Sequence, residues 1–375
     1  MKDFKAGVYT NQGYYKSFLP NHINKIWHFD DMSLITLLSK ADRMLGRLDM
    51  FSNHIPNIDL FIQMHIRKEA LQSTRIEGTQ TKMEEAMMDE EDVPLDKRDD
   101  WSEVQNYIKA MNLAIQRLET LPLSSRLIKE IHAILMQGVR GEHKQPGEFR
   151  TSQNWIGGNN INDAIFVPPV FGEIPDLMSD IEKFIHEPKC QIPDLVKIAL
   201  IHYQFETIHP FNDGNGRTGR LLITLYLVSA GILKRPVLYL SDYLENHRNS
   251  YYEMIMKART DNKIGEWIKF FLKGVIETAD KSVVTFEKIL ELEKEYEKII
   301  QHMGSRSANG MKLLNALYEN PITDARKVSK LLGISPQSAY SLIEDMEKRG
   351  LLYEFTHNKR GKRYMLHKYL QLFMK

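Results

Sequence analysis

The stretch His209-Pro-Phe-Asn-Asp-Gly-Asn-Gly-Arg-Thr-Gly-Arg220 places a histidine, an acid, three glycines and two arginines within twelve residues, directly before an apolar helical run at 221–233. A polar, glycine-rich turn that opens a helix is an arrangement for holding an anion. The backbone amides of Gly214, Asn215 and Gly216 would point outward from the positive end of that helix. Arg217 and Arg220, three residues apart, reach one helical face. Asp213 offers a hard oxygen for Mg²⁺, which usually sits with one or two protein carboxylates plus phosphates. His209, with an ordinary pKa of about 6.5, suits the removal of a proton from an attacking hydroxyl near neutral pH. No Lys-Ser/Thr follows the glycines, so this is not a P-loop. A helix rather than a strand precedes it, so it is not a dinucleotide fingerprint either. An ordinary interhelical turn has no need of His, Asp, Asn and two Arg together.

Outward from this string the chain reads as mostly helical. Leu34, Leu37, Leu38, Ala41, Leu45 and Leu48 keep helical spacing, and a second helix runs from the first turn at Pro56 to about Glu77, stopped by Gly78. An acidic stretch at 81–100 reads as a short helix and a loop. Helices are then expected at 100–118 and from a Ser124/Ser125 cap, where Leu127, Ile131, Ile134 and Leu135 form a stripe. Residues 147–169, with paired glycines, asparagines and short β-prone segments, read as a hairpin or flap. Helices resume at 172–186, 193–208, 241–259 and 264–302. Residues 1–30 look like an arm strapped onto the body.

At 375 residues the chain exceeds the roughly 100–200 usual for one domain. A formal net charge of +1 argues against a chain-wide polyanion binder. The single cysteine, Cys190, excludes an intrachain disulfide or thiolate cluster and reads as filler. The N-terminus lacks a secretory pattern and no run reaches the ~20 residues of a membrane span, so the expectation is cytoplasmic, with no membrane partner.

The string from His209 to Arg217 matches the motif HPFx[D/E]GN[G/K]R and resembles the Fic (filamentation induced by cAMP) family; Arg220 supplies the second arginine. The resemblance implies an all-α Fic core with a β-hairpin flap. It also implies transfer of AMP from ATP to a Ser, Thr or Tyr hydroxyl of a protein, with Mg²⁺ (or Mn²⁺). On that basis His209 is the general base and Asp213 the metal ligand. The ATP-binding set is His209, Pro210, Phe211, Asn212, Asp213, Gly214, Asn215, Gly216, Arg217 and Arg220. Phe211 anchors the loop, and Asn246 is a candidate adenine contact. Ser73-Thr-Arg-Ile-Glu77-Gly78 resembles the family's inhibitory [S/T]xxxE[G/N] helix, which implies that Glu77 competes with ATP for Arg220 while Ser73 steadies it. The flap at 147–169 would align a target protein by strand addition, and relatives often form homodimers. Two alternatives use the same site: removal of AMP, or transfer of another phosphate-containing group.

The stretch Met303-Gly-Ser-Arg-Ser-Ala-Asn-Gly310 is small and polar and reads as a linker. Beyond it come helices at 311–318 and 322–332, the second capped by Thr323. A turn, a helix at 336–349 and strands at 351–355 and 363–366 follow. That order is a winged helix-turn-helix. Gln337, Ser338, Tyr340 and Ser341 would face DNA, with Lys359, Arg360, Lys362 and Arg363 on the wing, although Glu344, Asp345 and Glu347 would repel phosphate. A DNA-binding regulator is therefore the competing reading. The resulting domains are 1–98 (N-terminal helical region with the inhibitory helix), 99–302 (catalytic core) and 303–375 (winged helix).

Overall fold

The structure, a computed structural model, describes residues 4–139, 144–188, 192–356 and 361–374. Cys190, Lys359 and Arg360 lie outside the described residues. The chain opens with an antiparallel hairpin, β1 (Gly7–Asn11) and β2 (Lys16–Pro20), in which Tyr9 faces Phe18. Helices follow as α1 (Met32–His54), α2 (Ile58–Ile76), α3 (Arg98–Arg117), α4 (Ser125–Leu135), α5 (Ile174–His186), α6 (Asp194–Ile208) and α7 (Asn215–Ser229). Then come α8 (Ser241–Asn246), α9 (Arg248–Asp261) and α10 (Ile264–Gln301).

The α6–α7 pair forms the centre. Neither helix is amphipathic: residues 195–208 of α6 are buried on every face, as are nearly all of α7. A helix apolar all round must be wrapped by others, and α2, α3, α4, α5 and α10 pack around this pair. The 38-residue α10 runs along α1 and α9 and continues toward the C-terminal unit. Asp31 caps α1 by accepting from Ser33 N (2.9 Å) and Leu34 N (3.4 Å), and Lys269 of α10 holds the same carboxylate at 2.6 Å.

The C-terminal unit comprises α11 (Ser307–Glu319), β3 (Ile322–Thr323), α12 (Ala325–Leu332), α13 (Pro336–Lys348), β4 (Tyr353–Glu354), β5 (Tyr364–Met365) and α14 (His367–Gln371), with sheet order β3-β5-β4. It packs on α2, where Phe61 meets Tyr318 and Tyr369 at ring centroids 5.1 and 6.3 Å away.

Several sequence expectations change. Thr323 is not a cap: with Ile322 it pairs with Tyr364 and Met365, and Asp324 caps α12 through Arg326 N and Lys327 N. Residues 303–310 are not an extended linker, because a 3₁₀ turn at Gly304–Arg306 leads straight into α11, and Gly310 is packed against Ile300. Pro56 precedes α2, whose cap residue Asn57 takes a left-handed conformation. The 81–100 stretch holds three 3₁₀ turns rather than a helix. Residues 241–259 are divided at His247 into two helices. The 147–169 segment is a loop closed by a single antiparallel bridge, Ile156 to Phe166, and lacks regular strands. Its inner limb joins the N-terminal hairpin through Phe18 N donating to Val167 O at 2.9 Å.

Candidate active site

The 209–215 turn begins where α6 must stop. Proline at 210 disfavours a helical residue before it, and His209 adopts φ 51°, ψ 60°, with its N–H on Phe205 O at 2.9 Å. Phe211 is fully buried and fixed through its backbone: Asn215 Oδ1 accepts from Phe211 N, and Asn215 Nδ2 donates to Phe211 O, both at 2.8 Å. The Asn215 side chain thus closes the loop, and it is the backbone at 214–216 that remains as the anion cradle. The Phe211 ring stacks on His132 of α4 at 3.7 Å and 4°. His132 Nε2 donates to Asp213 O (2.9 Å) while its Nδ1 accepts from Gly147 N (2.9 Å), so the ring must be neutral with its proton on Nε2. Burial, which pushes its pKa down to about 4, agrees. Gly214, at φ 73°, is required twice over, since a Cβ there would meet Met136 Sδ at 2.7 Å and His132 Nε2 at 3.3 Å.

Arg150 clamps the loop from below. Its guanidinium donates to His209 O (3.0 Å), Ser152 O (3.0 Å), Pro169 O (2.6 Å) and Ile208 O (3.4 Å), and its N–H to Pro210 O (2.9 Å). Both ends of the 147–169 loop are therefore tied to the 209–215 turn. Asn154 adds a donor to Phe211 O at 3.0 Å.

Both motif arginines are buried and already engaged. Arg217 donates to Glu103 Oε2 of α3 at 3.0 Å and lies 3.6 Å from Asp213 Oδ1. Arg220 donates from Nε to Ser73 Oγ (2.9 Å), and from Nη2 to Ser73 O (2.9 Å) and Glu77 Oε1 (2.6 Å). Glu77 is the residue at which α2 ends, followed by Gly78 at φ 107°. Its Oε1 stands over the first turn of α7: a Cβ on Gly216 would fall 2.3 Å from it. The first N–H groups of α7 have no carbonyl partners within the helix and lie at its positive end. The Glu77 carboxylate therefore occupies the place an anion would take. Burial raises the Glu77 pKa, but the Arg220 charge outweighs it, with Arg217 and His209 assisting, and the carboxyl is held below its ordinary range.

Asp213 has its Oδ1 on Gly214 N at 2.6 Å and its Oδ2 on exposed Lys144 at 3.2 Å. Burial raises its pKa, and Arg217 and Lys144 bring it below normal. Its Oδ2 is partly exposed and held by a surface lysine alone, so that oxygen is free to exchange its partner for a hard cation. A single carboxylate of this kind suits a hard cation that brings most of its own oxygen ligands; among the described residues no group of three or more His, Cys, Asp or Glu side chains is placed to hold a metal by itself. Burial, with the charges of Arg259 and Arg150, lowers the His209 pKa to about 4, so the ring is neutral at pH 7. Its Nδ1 has no hydrogen-bond partner among the described residues.

The structure brings Ser73, Glu77, His209, Asp213, Gly216, Arg217 and Arg220 together. Pro210 is held through its carbonyl, and Asn212 lies beside Asp213 on the rim. Asn246, by contrast, is exposed at the end of α8, while Tyr251 and Tyr252 of α9 have hydroxyl pKa values raised first by burial and then by nearby acids, Glu206 for Tyr251 and Glu77 for Tyr252. Sequence reasoning missed Glu103, His132, Arg150, Asn154 and Glu206. Glu206, one turn before His209, keeps a buried Oε1 without a partner and packs so closely on α7 that a Cβ at Gly219 would meet it at 2.5 Å. Burial, and then the Glu77 charge, push its pKa up to about 7 against the pull of Arg220 and Arg259.

The fold and site together place a histidine, a carboxylate and two buried arginines around the start of one buried helix in a helical core. Two sequence models match the chain: Fic/DOC family N-terminal over residues 35–116 and Fic/DOC family over 122–227, together half of the chain. The chain belongs to the Fic/DOC family. Among its relatives, protein adenylyltransferase Fic of Aedes aegypti is 34% identical over 154 residues, which is 41% of this chain and 28% of that protein. The protein of the same name from Drosophila yakuba is 30% identical over 181 residues, 47% of this chain and 33% of that protein. The matched part thus spans a third or less of these relatives' length. A crystal structure of a Fic family protein from Desulfovibrio desulfuricans shares the fold, with TM-score 0.57 at 19% identity, over 91% of this chain and 98% of that one.

Proposed function

We propose that the chain is a protein adenylyltransferase that moves AMP from ATP to a Ser, Thr or Tyr hydroxyl of a target protein and is held off by Glu77. The observation that carries this is the Glu77–Arg220 pair at 2.6 Å, directly over the Gly216 backbone at the start of α7. In the proposed reaction the target oxygen attacks the α-phosphorus of ATP, the bond from that phosphorus to the β-phosphate bridging oxygen breaks, and pyrophosphate leaves. The hydroxyl proton passes to the neutral His209 ring. Arg217, Arg220 and the amides at 214–216 bind and orient the phosphates. Asp213 would hold Mg²⁺, which supplies charge neutralisation on the phosphate oxygens. The carboxylate of Glu77 must leave before Arg220 can take the terminal phosphate. Residues 147–169, tied to the turn by Arg150, would present the target's backbone. The adenylyltransferase names of the relatives favour AMP over removal of AMP or another donor.

ATP labelled at the α-phosphate tests this. Glu77→Gly should raise the label incorporated into protein by roughly tenfold or more, and His209→Ala in that background should remove about 10²–10⁴-fold. No α-label in Glu77→Gly, with label from another donor, would sink AMP transfer. We further propose that 303–375 is a winged helix-turn-helix. Its order of helix, strand, two helices and two strands supports that, with Ser335 capping the exposed start of α13.

A further inference from the structure

Between Glu84 and Asp92 the chain carries six acids in nine residues, Glu84, Glu85, Asp89, Glu90, Glu91 and Asp92. Met83, Ala86 and Met87 anchor the front of this segment in the core, but Asp89–Asp92 is a solvent-facing 3₁₀ turn. That turn lies against the C-terminal unit. Asp89 pairs with Lys327 of α12 at 2.8 Å, and Asp92 pairs with Arg363 beside β5. Both partners come from the helix-turn-helix and from the strand that borders its wing. Meanwhile the acids of α13 that would repel phosphate are partly neutralised from within: Asp345 is paired with Arg349 (2.8 Å) and Arg306 (3.4 Å).

We propose that the 89–92 turn is an internal stand-in for a nucleic-acid backbone: it occupies the basic face of the C-terminal unit at Lys327 and Arg363, and duplex DNA binds that face by displacing it. Carboxylates spaced along an exposed turn present the same hard anionic oxygens to Lys and Arg that a phosphate backbone does. The Asp89–Lys327 pair is exposed and of a kind that contributes only about 0–1 kcal/mol, and the Asp92–Arg363 pair is half-buried, so a polyanion with many phosphates can replace both. Displacement also has a salt signature. Lysine and arginine that bind phosphate release counterions from DNA, whereas the uncovered carboxylates take cations up, so the wild-type chain should show a shallower salt dependence than one lacking the acids. The inference rests on the winged-helix reading and is independent of AMP transfer, since its readouts are binding and exchange rather than labelling.

The test uses the full chain and a fluorescent mixed-sequence duplex. Asp89→Asn with Asp92→Asn should tighten binding at 50 mM salt by about fivefold or more and steepen the log–log salt slope by about two. A charge-matched control, Glu119→Gln with Asp261→Asn on remote exposed surface, should change neither by as much. In the wild-type chain, saturating duplex should speed amide hydrogen exchange across 88–93. Equal affinity and slope in the acid-neutralised and control chains would overturn the proposal, as would unchanged exchange at 88–93 with duplex bound. Absence of duplex binding by either chain at low salt would overturn it together with the DNA reading.

Discussion

Glu206 shows how burial sets the chemistry of one residue. Its carboxyl sits behind Arg220 with an unpartnered oxygen, and its pKa of about 7 lies above the ~4.5 of the unfolded chain. A raised carboxyl pKa contributes stability below the unfolded value, and this contribution is lost as pH rises through about 7. Glu206→Gln removes the charge while keeping the shape. It should therefore stabilise the protein by roughly 1–3 kcal/mol at pH 8 and leave it unchanged near pH 4, as read by denaturant titration at the two pH values. The comparison with Glu77 is instructive. Both acids feel the Arg220 charge, yet Glu77 makes the direct hydrogen bond and is held ionised, while Glu206 Oε1 has no partner and burial moves its titration up to about 7.

At the scale of elements, the loop at 147–169 owes its place to Arg150. A guanidinium with donors in a planar fork reaches four carbonyls on two segments, while a lysine ammonium on a single stem cannot span them. Arg150→Lys should cost about 2–4 kcal/mol, roughly one for each buried carbonyl left short of a donor. It should also speed hydrogen exchange at the Ile156 and Phe166 amides that close the loop. Helix positions were largely legible in the sequence because apolar spacing is a local property. Thr323 was misread because its polarity suits a cap as well as a strand, and its true partner, Tyr364, is remote in sequence. The same holds for 303–310: a small, polar composition suggested an extended link, but Gly310 is small because Ile300 packs against it.

At the scale of the whole molecule, burial holds four histidines neutral among the described residues. Burial depresses His65, His132, His202 and His209 to about 4. In the unfolded chain each titrates near 6.5, so between about 4 and 6.5 the unfolded state binds more protons and stability falls as pH falls. Asp42, Glu69, Glu206 and Glu293, with raised pKa values, act in the opposite sense, while carboxyls held low by cations, such as Glu77 and Asp213, add to the loss as pH falls toward 4. Thermal melts should peak near pH 6.5–7 and decline steeply toward pH 4. A flat Tm from pH 7 to 4.5 would contradict this account. His202 links the core to α7 and α9: its Nδ1 donates to Gly219 O and its Nε2 accepts from Tyr251, so protonating it would force the Tyr251 bond to reverse its direction. Helix α2 ties the parts together, carrying Ser73 and Glu77 at one end and packing on the C-terminal unit through Phe61 and His65.

The sequence by itself determined the glycine-rich turn and the histidine, acid and two arginines it carries, because a glycine-rich string that opens a helix places its groups by local backbone geometry. It also pointed to Glu77, through a short pattern near the end of a helix. Only the tertiary structure decided what those arginines hold, that Asn215 closes the loop, that His132 and Arg150 support it, and that Asp89 and Asp92 lie against Lys327 and Arg363. These contacts join residues remote in sequence. They depend on how α2, α3, α4 and the C-terminal unit pack around α6 and α7, and no local spacing in the chain encodes that.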